Sequence, residues 1–242
     1  MSHGMSLRGK RAIVTGSGRG IGRAVALAMA REGASVMVTA RSRKEISGVA
    51  AQIAASGGRA VPVPADLRRE EDIRSVVSSA LKEFGGIDIL VNNAGLGYFS
   101  TVQEMDTSHF DEMWQVNTRA VFLLTRESLP GMISGGGGDI VNISSLAGRN
   151  AFVGGAGYGA TKWALIGFSR SLMLEVREKN VRVITLCPGS VDTQFAGPSG
   201  GPARPGVIPS ADDIAAVVLD AVRMPRHVMV SEIDIRPTNP KG

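Results

Sequence analysis

Along the chain, short apolar runs alternate with longer stretches in which apolar residues recur every three to four positions. The short runs are rich in β-branched residues and bounded by Gly, Pro, Asn or Asp, which is how strands read. They predict seven strands: Arg11–Thr15, Ala34–Thr39, Ala60–Pro64, Ile87–Val91, Asp139–Ile143, Arg182–Leu186 and Ser231–Ile235. Most of these runs are too apolar to face water, so the strands are expected to be parallel and covered on both faces. Between them, Ile21/Ala24/Val25/Ala28/Met29, Ile73/Val76/Val77/Ala80/Leu81/Phe84, Phe110/Met113/Trp114/Asn117/Val121/Leu124 and Lys162/Leu165/Ile166/Ser169/Leu172/Met173/Val176 form helical stripes. A last helix is announced by Ser210 with Asp213 three residues on, a capping pair, before Ile214/Val217/Val218/Ala221. The Gly- and Pro-rich residues 196–209 read as a short loop. The expected architecture is an α/β doubly wound parallel sheet in one domain, residues 1–242, with its ligand site beyond the carboxyl ends of the strands.

Composition narrows the function. A chain of 242 residues can bury a full core without cross-links. Its single cysteine, Cys187, has no partner within the chain, which fits a reducing cytoplasm. No apolar run approaches the ~18 residues of a membrane span, and Met1–Arg8 lacks the apolar stretch of a signal peptide, so a cytoplasmic protein without membrane contact is expected. Basic residues outnumber acidic ones, 27 to 22, but they fall in scattered groups (Arg8/Lys10/Arg11, Arg41/Arg43/Lys44, Arg68/Arg69) without interleaved aromatics. That pattern argues for a solvated surface and a small anionic ligand, and against nucleic acid. His3, His109 and His227 are too dispersed to form a metal site. Glycine, at 31 residues, is nearly twice its usual ~7%, so backbone is being brought close to something.

The first strand runs directly into Thr15-Gly-Ser-Gly-Arg-Gly-Ile-Gly22 and then a helix. A glycine turn at a helix N-terminus is a pyrophosphate cradle: the backbone can approach closely, and unpaired N–H groups and the helix dipole favour an anion. The turn lacks the Gly-Lys-Ser/Thr ending of a P-loop, which disfavours kinase or ATPase chemistry. Farther on, Tyr158 and Lys162 are four apart, so on a helix they share a face and their heads can converge. A cation about 4 Å from the phenol, at an effective dielectric of ~20, would favour phenolate by ~4 kcal/mol, roughly three pKa units. Tyr158 is therefore expected to titrate near neutrality.

Taken in order, Thr15-Gly16-x-x-x-Gly20-x-Gly22, Asn92-Asn93-Ala94-Gly95, Asn117, Ile143-Ser144-Ser145, Tyr158-x-x-x-Lys162 and Pro188-Gly189-Ser190-Val191-Asp192-Thr193 resemble the classical short-chain dehydrogenase/reductase family. The resemblance runs from Leu7 to Pro237 and implies a Rossmann-type fold that binds a nicotinamide dinucleotide. It assigns Tyr158 as general acid/base, Lys162 as the group that lowers the Tyr158 pKa and holds the nicotinamide ribose, Ser145 as partner of the substrate oxygen, and Asn117 as support for a relay water. The cofactor-binding residues it implies are Gly16, Ser17, Arg19, Gly20, Ile21, Gly22, Arg41, Asp66, Leu67, Asn93, Ala94, Gly95, Tyr158, Lys162, Pro188, Gly189, Val191 and Thr193. No metal is implied.

After the second strand, where an NAD-selective site carries an acid for the ribose 2′-hydroxyl, the chain has Ala40 and Arg41. With Arg19 in the turn, this points to NADP(H) over NAD(H), and Asp66 is expected to face the adenine. The implied reaction is reduction of a carbonyl to a secondary alcohol, or the reverse. A 3-oxoacyl-acyl-carrier-protein reductase is an alternative, weakened by the ending Val230-Ser-Glu-Ile-Asp-Ile-Arg-Pro237, which lacks the Gly-Gly of that branch. A nicotinamide-binding regulator without turnover would have no need of Ser145, Tyr158 and Lys162. The expected substrate wall, Leu146, Ala147, Phe152, Gly155, Val191 and Phe195, is apolar or small and suits an uncharged carbonyl compound. Residues 196–209 form the substrate-side cover in the family. The helix after Tyr158 is apolar on more than one side (Leu165, Ile166, Phe168, Leu172, Met173), and packing it against its copy implies a homo-oligomer, a tetramer or a dimer.

Overall fold

A computed structural model describes residues 7–195 and 207–239. Within them seven strands form one sheet: β1 (Arg11–Thr15), β2 (Ser35–Ala40), β3 (Arg59–Pro64), β4 (Ile89–Asn92), β5 (Gly138–Ile143), β6 (Val181–Pro188) and β7 (Glu232–Ile235). Every neighbouring pair is parallel, in the order β3-β2-β1-β4-β5-β6-β7. Alternate side chains feed two cores: Val14, Val36, Val91 and Val141 enter one, Ile13, Met37, Leu90 and Ile140 the other. The first core is closed by α1 (Gly20–Arg31), α2 (Arg43–Ala55) and α7 (Ala211–Arg223). The second is closed by α3 (Glu70–Phe84), α5 (Ala120–Ser134) and α6 (Ala156–Val176). The fold is thus the Rossmann-like doubly wound α/β sheet, and its topological switch lies between β1 and β4, where ligands enter such sheets.

Three features depart from the sequence pattern. Residues 43–55, assigned no element and begun by the basic pair Arg43 and Lys44, form α2. The Ser42 hydroxyl accepts from the Glu45 N–H (3.3 Å) to start this helix, and Ile46, Val49 and Ile53 bury its inner face. The single helix expected around Phe110–Leu124 is α4 (Thr107–Trp114) joined to α5 by a π turn, Gln115–Arg119, which leaves Asn117 buried. Of the α6 residues expected to meet another subunit, Leu165, Ile166 and Leu172 are buried within the chain, and Phe168 and Met173 pack on its second core. The exposed large apolar side chains of α6 are Trp163 and Leu174. In the loop expected over 196–209, residues 196–206 lie outside the described residues. Next to them the Asp192 N–H donates to the Pro209 carbonyl at 2.9 Å.

At the amino ends of the strands, opposite the ligand crevice, Arg182 is buried against Asp139 (Nε–Oδ1 2.6 Å). Its guanidinium also donates to the carbonyls of Val222, Met224 and Val228, all within 2.9 Å, which closes the end of α7. Arg226 adds a second contact to Asp139 at 2.9 Å. Removing the guanidinium orphans these acceptors at once, so Arg182→Leu should lower unfolding stability by about 3–5 kcal/mol in a denaturant titration. A loss below about 1 kcal/mol would mean that water replaces it freely.

Candidate active site

At the switch point the Thr15 hydroxyl donates to the Val91 carbonyl (3.2 Å) and accepts from the N–H groups of Asn93 and Ala94 (both 3.0 Å). The Asn93 amide turns back to the carbonyls of Thr15 (2.8 Å) and Gly16 (3.3 Å). These bonds press the glycine turn against the segment after β4. Gly16 has φ +63°, and a Cβ on Gly22 would lie 2.4 Å from the Gly16 carbonyl oxygen and the Asn93 amide, so neither position admits a side chain. Arg19, the N-cap of α1, makes no side-chain cap, which leaves the first turn of the helix to an outside anion. Thr193 covers the turn, its side chain 3.6 Å from where a Gly20 Cβ would stand. This cradle fits a dinucleotide pyrophosphate.

Several residues expected to bind cofactor are occupied by the fold itself. Ser17 is buried, its Oγ accepting from the Thr39 N–H (2.8 Å), and together with the Asn93 amide it shapes the turn from inside. The Leu67 side chain belongs to the second core, while Ile21 and Val191 pack on the first. Pro188 ends β6, and the Gly189 N–H donates to Ile235 (2.9 Å). The Asp66 carboxylate accepts from the Arg68 guanidinium (Nε–Oδ1 2.9 Å), which lowers its pKa. Arg19 and Arg41 stand exposed at the mouth, Arg41 at 3.8 Å from Glu112.

Beyond the cradle, the carboxyl end of β5 meets α6. The Lys162 ammonium is buried and donates to the Ile143 carbonyl at 3.0 Å, while the Ser144 hydroxyl donates to the Lys162 carbonyl at 3.1 Å. Ser145 caps the short turn Leu146–Gly148 through Ala147 N–H (3.1 Å), and its hydroxyl is near enough to Tyr158 to lower the phenol pKa. The Asn117 amide is fully engaged. Its Oδ1 accepts from the Leu96 N–H, and its Nδ2 donates to the Leu96 carbonyl (both 2.9 Å) and to Thr161 Oγ1 (3.0 Å). A buried polar chain holds α6 on the sheet: Asn92 donates to Asn142 (2.9 Å), Asn142 to Ser169 (2.8 Å) and Ser169 to the Leu165 carbonyl (2.7 Å).

The expected titration of Tyr158 is overturned for the protein alone. Burial pushes the phenol up to about 12, against the smaller opposite effect of its bond with Ser145. Lys162 donates to the Ile143 carbonyl and lies 5.7 Å from the Tyr158 ring centre, and burial brings its pKa down to about 8. With these values Tyr158 keeps its proton at neutral pH.

Sequence reading missed Phe99, whose ring meets Tyr158 edge-on at 5.3 Å. With Phe195 (5.9 Å from Tyr158) and Phe152 (6.1 Å from Phe99) it makes an aromatic mouth, each ring nearly half exposed. It also missed Thr161 and the anchor of the serine loop. Arg149, four residues after Ser145, pairs with Glu232 (2.5 Å) and Asp234 (2.8 Å) of β7, and Arg170 and Arg149 together hold the Glu232 carboxyl down at about 2.

A glycine cradle at the switch of a parallel sheet, with a buried tyrosine and lysine and a half-buried serine two strands away, defines a dinucleotide-dependent oxidoreductase. The profile of the short chain dehydrogenase family matches residues 10–201, and the chain belongs to that family, as an NAD(P)-dependent oxidoreductase acting on CH–OH or C=O groups. It is 33% identical over 231 residues to an uncharacterized oxidoreductase of Staphylococcus aureus, with 96% of this chain and 98% of the relative aligned. Among solved structures it is similar to a metagenomic short-chain oxidoreductase in complex with NADP (TM-score 0.86, 38% identity, 97% and 99% of the two chains). It is also similar to a 7α-hydroxysteroid dehydrogenase complexed with NADH and 7-oxo glycochenodeoxycholic acid (TM-score 0.92, 28% identity, 100% and 98%).

The buried lysine has a measurable cost. Between pH 8 and 10.5 the unfolded chain holds the Lys162 proton and the folded chain does not, so the cost is complete below pH 8 and fades as pH rises. That shift corresponds to about 3 kcal/mol, offset by about 1 kcal/mol for the bond to Ile143. Lys162→Met should therefore raise unfolding stability by about 2 kcal/mol at pH 7, with the gain gone by about pH 10.5, in urea titrations at the two pH values. Equal gains at both would show that burial does not perturb the ammonium.

Proposed function

We propose that this enzyme interconverts a carbonyl and a secondary alcohol, with NADP(H) preferred over NAD(H) and Tyr158 as general acid/base. The observation that carries the proposal is that Tyr158 and Ser145 stand beside a buried ammonium, two strands from the glycine cradle. Gly16, Gly20 and Gly22 with the start of α1 would hold the pyrophosphate, and Gly95 and Lys162 would flank the nicotinamide end. When bound, the nicotinamide supplies or accepts the hydride. A Tyr158 phenol that keeps its proton can give it to the carbonyl oxygen, while the Ser145 hydroxyl donates a second bond that fixes that oxygen. Lys162, charged below about pH 8, favours the phenolate left behind. Asn117, with its amide committed to Leu96 and Thr161, acts as a positioning residue for the segment after β4, not through a side-chain contact to a relay water.

Phe99, Phe152 and Phe195, with Leu146 and Ala147, favour an uncharged hydrophobic carbonyl, since no charged side chain stands among these described wall residues. For the cofactor, one structural neighbour carries NADP and another NADH, so selection has to be argued from residues. Arg41 follows β2 where an acid would mark NAD, and Asp66 is already held by Arg68. Two charge-assisted bonds from Arg19 and Arg41 would favour a 2′-phosphate by about 10²–10⁴-fold. A screen of carbonyls and secondary alcohols with both cofactors tests the reaction. Tyr158→Phe should lose at least ~10²-fold in kcat with cofactor affinity unchanged, and Arg41→Ala should lower the NADPH/NADH ratio of kcat/KM. Unchanged turnover in the first variant overturns the acid/base role, and an unchanged ratio in the second removes Arg41 as selector.

The homo-oligomer proposal rests on Trp163 and Leu174 of α6 and Phe122 of α5, each about half exposed. Sedimentation at micromolar concentration should give a dimer or tetramer. A stable monomer of 25.3 kDa overturns it.

A further inference from the structure

One acid at the mouth opposes the arginines that would take a 2′-phosphate. Glu112 of α4 gathers three segments. Its Oε1 accepts from Arg68 Nη1 at 2.9 Å and lies 3.8 Å from Arg41 Nη1, and its Oε2 accepts from the Tyr98 phenol at 2.7 Å. Arg68 in turn clasps Asp66. Tyr98 is stacked on His109 of the same helix, ring centres 3.9 Å apart and 13° from parallel. Two guanidinium groups thus face two carboxylates, and the cluster is electrically balanced before any phosphate arrives. The bond from Tyr98 to the Glu112 carboxylate raises the phenol pKa.

We propose that Glu112 is a specificity-determining residue that restrains the affinity of this site for a 2′-phosphate, so that the preference for NADP(H) is smaller than its arginines alone would set. The inference rests on the reading of Arg41 as partner of that phosphate. A dianion reaching Arg41 must share it with a carboxylate 3.8 Å away and is repelled by it. A ribose hydroxyl meets no such repulsion, so Glu112 discriminates only against the phosphorylated form. For a separation of roughly 7 Å in screened solvent, this is worth about 3- to 10-fold in affinity.

The test is calorimetric binding of adenosine 2′,5′-bisphosphate and adenosine 5′-monophosphate to the whole protein and its variants. Glu112→Gln, which keeps shape and polarity, should bind the bisphosphate 3- to 10-fold more tightly and the monophosphate within twofold of wild type, with the gain shrinking as salt rises. Tyr98→Phe disturbs the same cluster but keeps the carboxylate, and should change neither affinity. Tightening by both variants would mean a loosened loop rather than a removed charge and overturns the inference. So does an unchanged bisphosphate affinity in Glu112→Gln while Arg41→Ala still weakens it, an outcome that leaves the cofactor reading standing. If Arg41→Ala has no effect while Glu112→Gln still tightens selectively, Arg41 is not the phosphate partner, and the inference, which needs the two to share it, is overturned. If neither variant moves the bisphosphate, both readings fall.

Discussion

Three hydrogen bonds to one hydroxyl hold the working end of this enzyme together. Thr15 Oγ1 joins the end of β1 to Val91, Asn93 and Ala94 at the end of β4, where the two halves of the sheet diverge. A doubly wound sheet opens a crevice there whatever its sequence. What the threonine adds is a fixed distance between the glycine turn on one side and the segment leading to Leu96 on the other. Asn93 extends the clamp to Gly16, and through Leu96 it reaches Asn117, then Thr161 and α6. The phosphate cradle and the tyrosine therefore share one continuous hydrogen-bonded frame.

That frame lets the protein bury an ammonium group that has no carboxylate partner among the described residues. The cost of desolvating Lys162 falls on the whole fold, and the surrounding bonds prevent α6 from tilting to release it. Asn92, Asn142 and Ser169 fix the helix against β5 by polar contacts, which tolerate a slip of register less well than apolar packing does. A strained charge and a rigid setting for it are both present, the combination expected where a proton is to be moved.

Most of the fold was legible because parallel strands buried on both faces read as nearly unbroken apolar runs, as the inner strands do, while the edge strands β3 and β7 are only partly covered. Helix α2 was missed although its signals were present: Ser42 followed by Glu45, then Ile46, Val49, Ala50 and Ile53 at helical spacing. The basic residues beside them drew the reading toward a loop. The π turn at Asn117 changes the backbone register without changing residue type, so only the misfit of a buried asparagine hinted at it. At the site, motifs gave residue identities but not directions. Ser17 and Asn93 turn into the protein, and Lys162 takes the Ile143 carbonyl as partner, which a spacing argument cannot foresee. Glu112 was invisible for another reason: its partner Arg68 is 44 residues away, and contacts at that separation are set by topology, not by local pattern.

The ties from Arg149 to β7 give the order of assembly a meaning. The loop that carries Ser145 is fastened to Glu232, 83 residues farther along. On a chain growing at ~5–20 residues per second, that partner emerges roughly 4 to 17 s after the arginine. In that interval the earlier strands can pair, while α7, which closes the first core with α1 behind the glycine turn, is itself still emerging. The serine loop, too, is still unfastened. A nascent chain would thus pair the inner strands of its sheet before it can fasten the loop that carries Ser145.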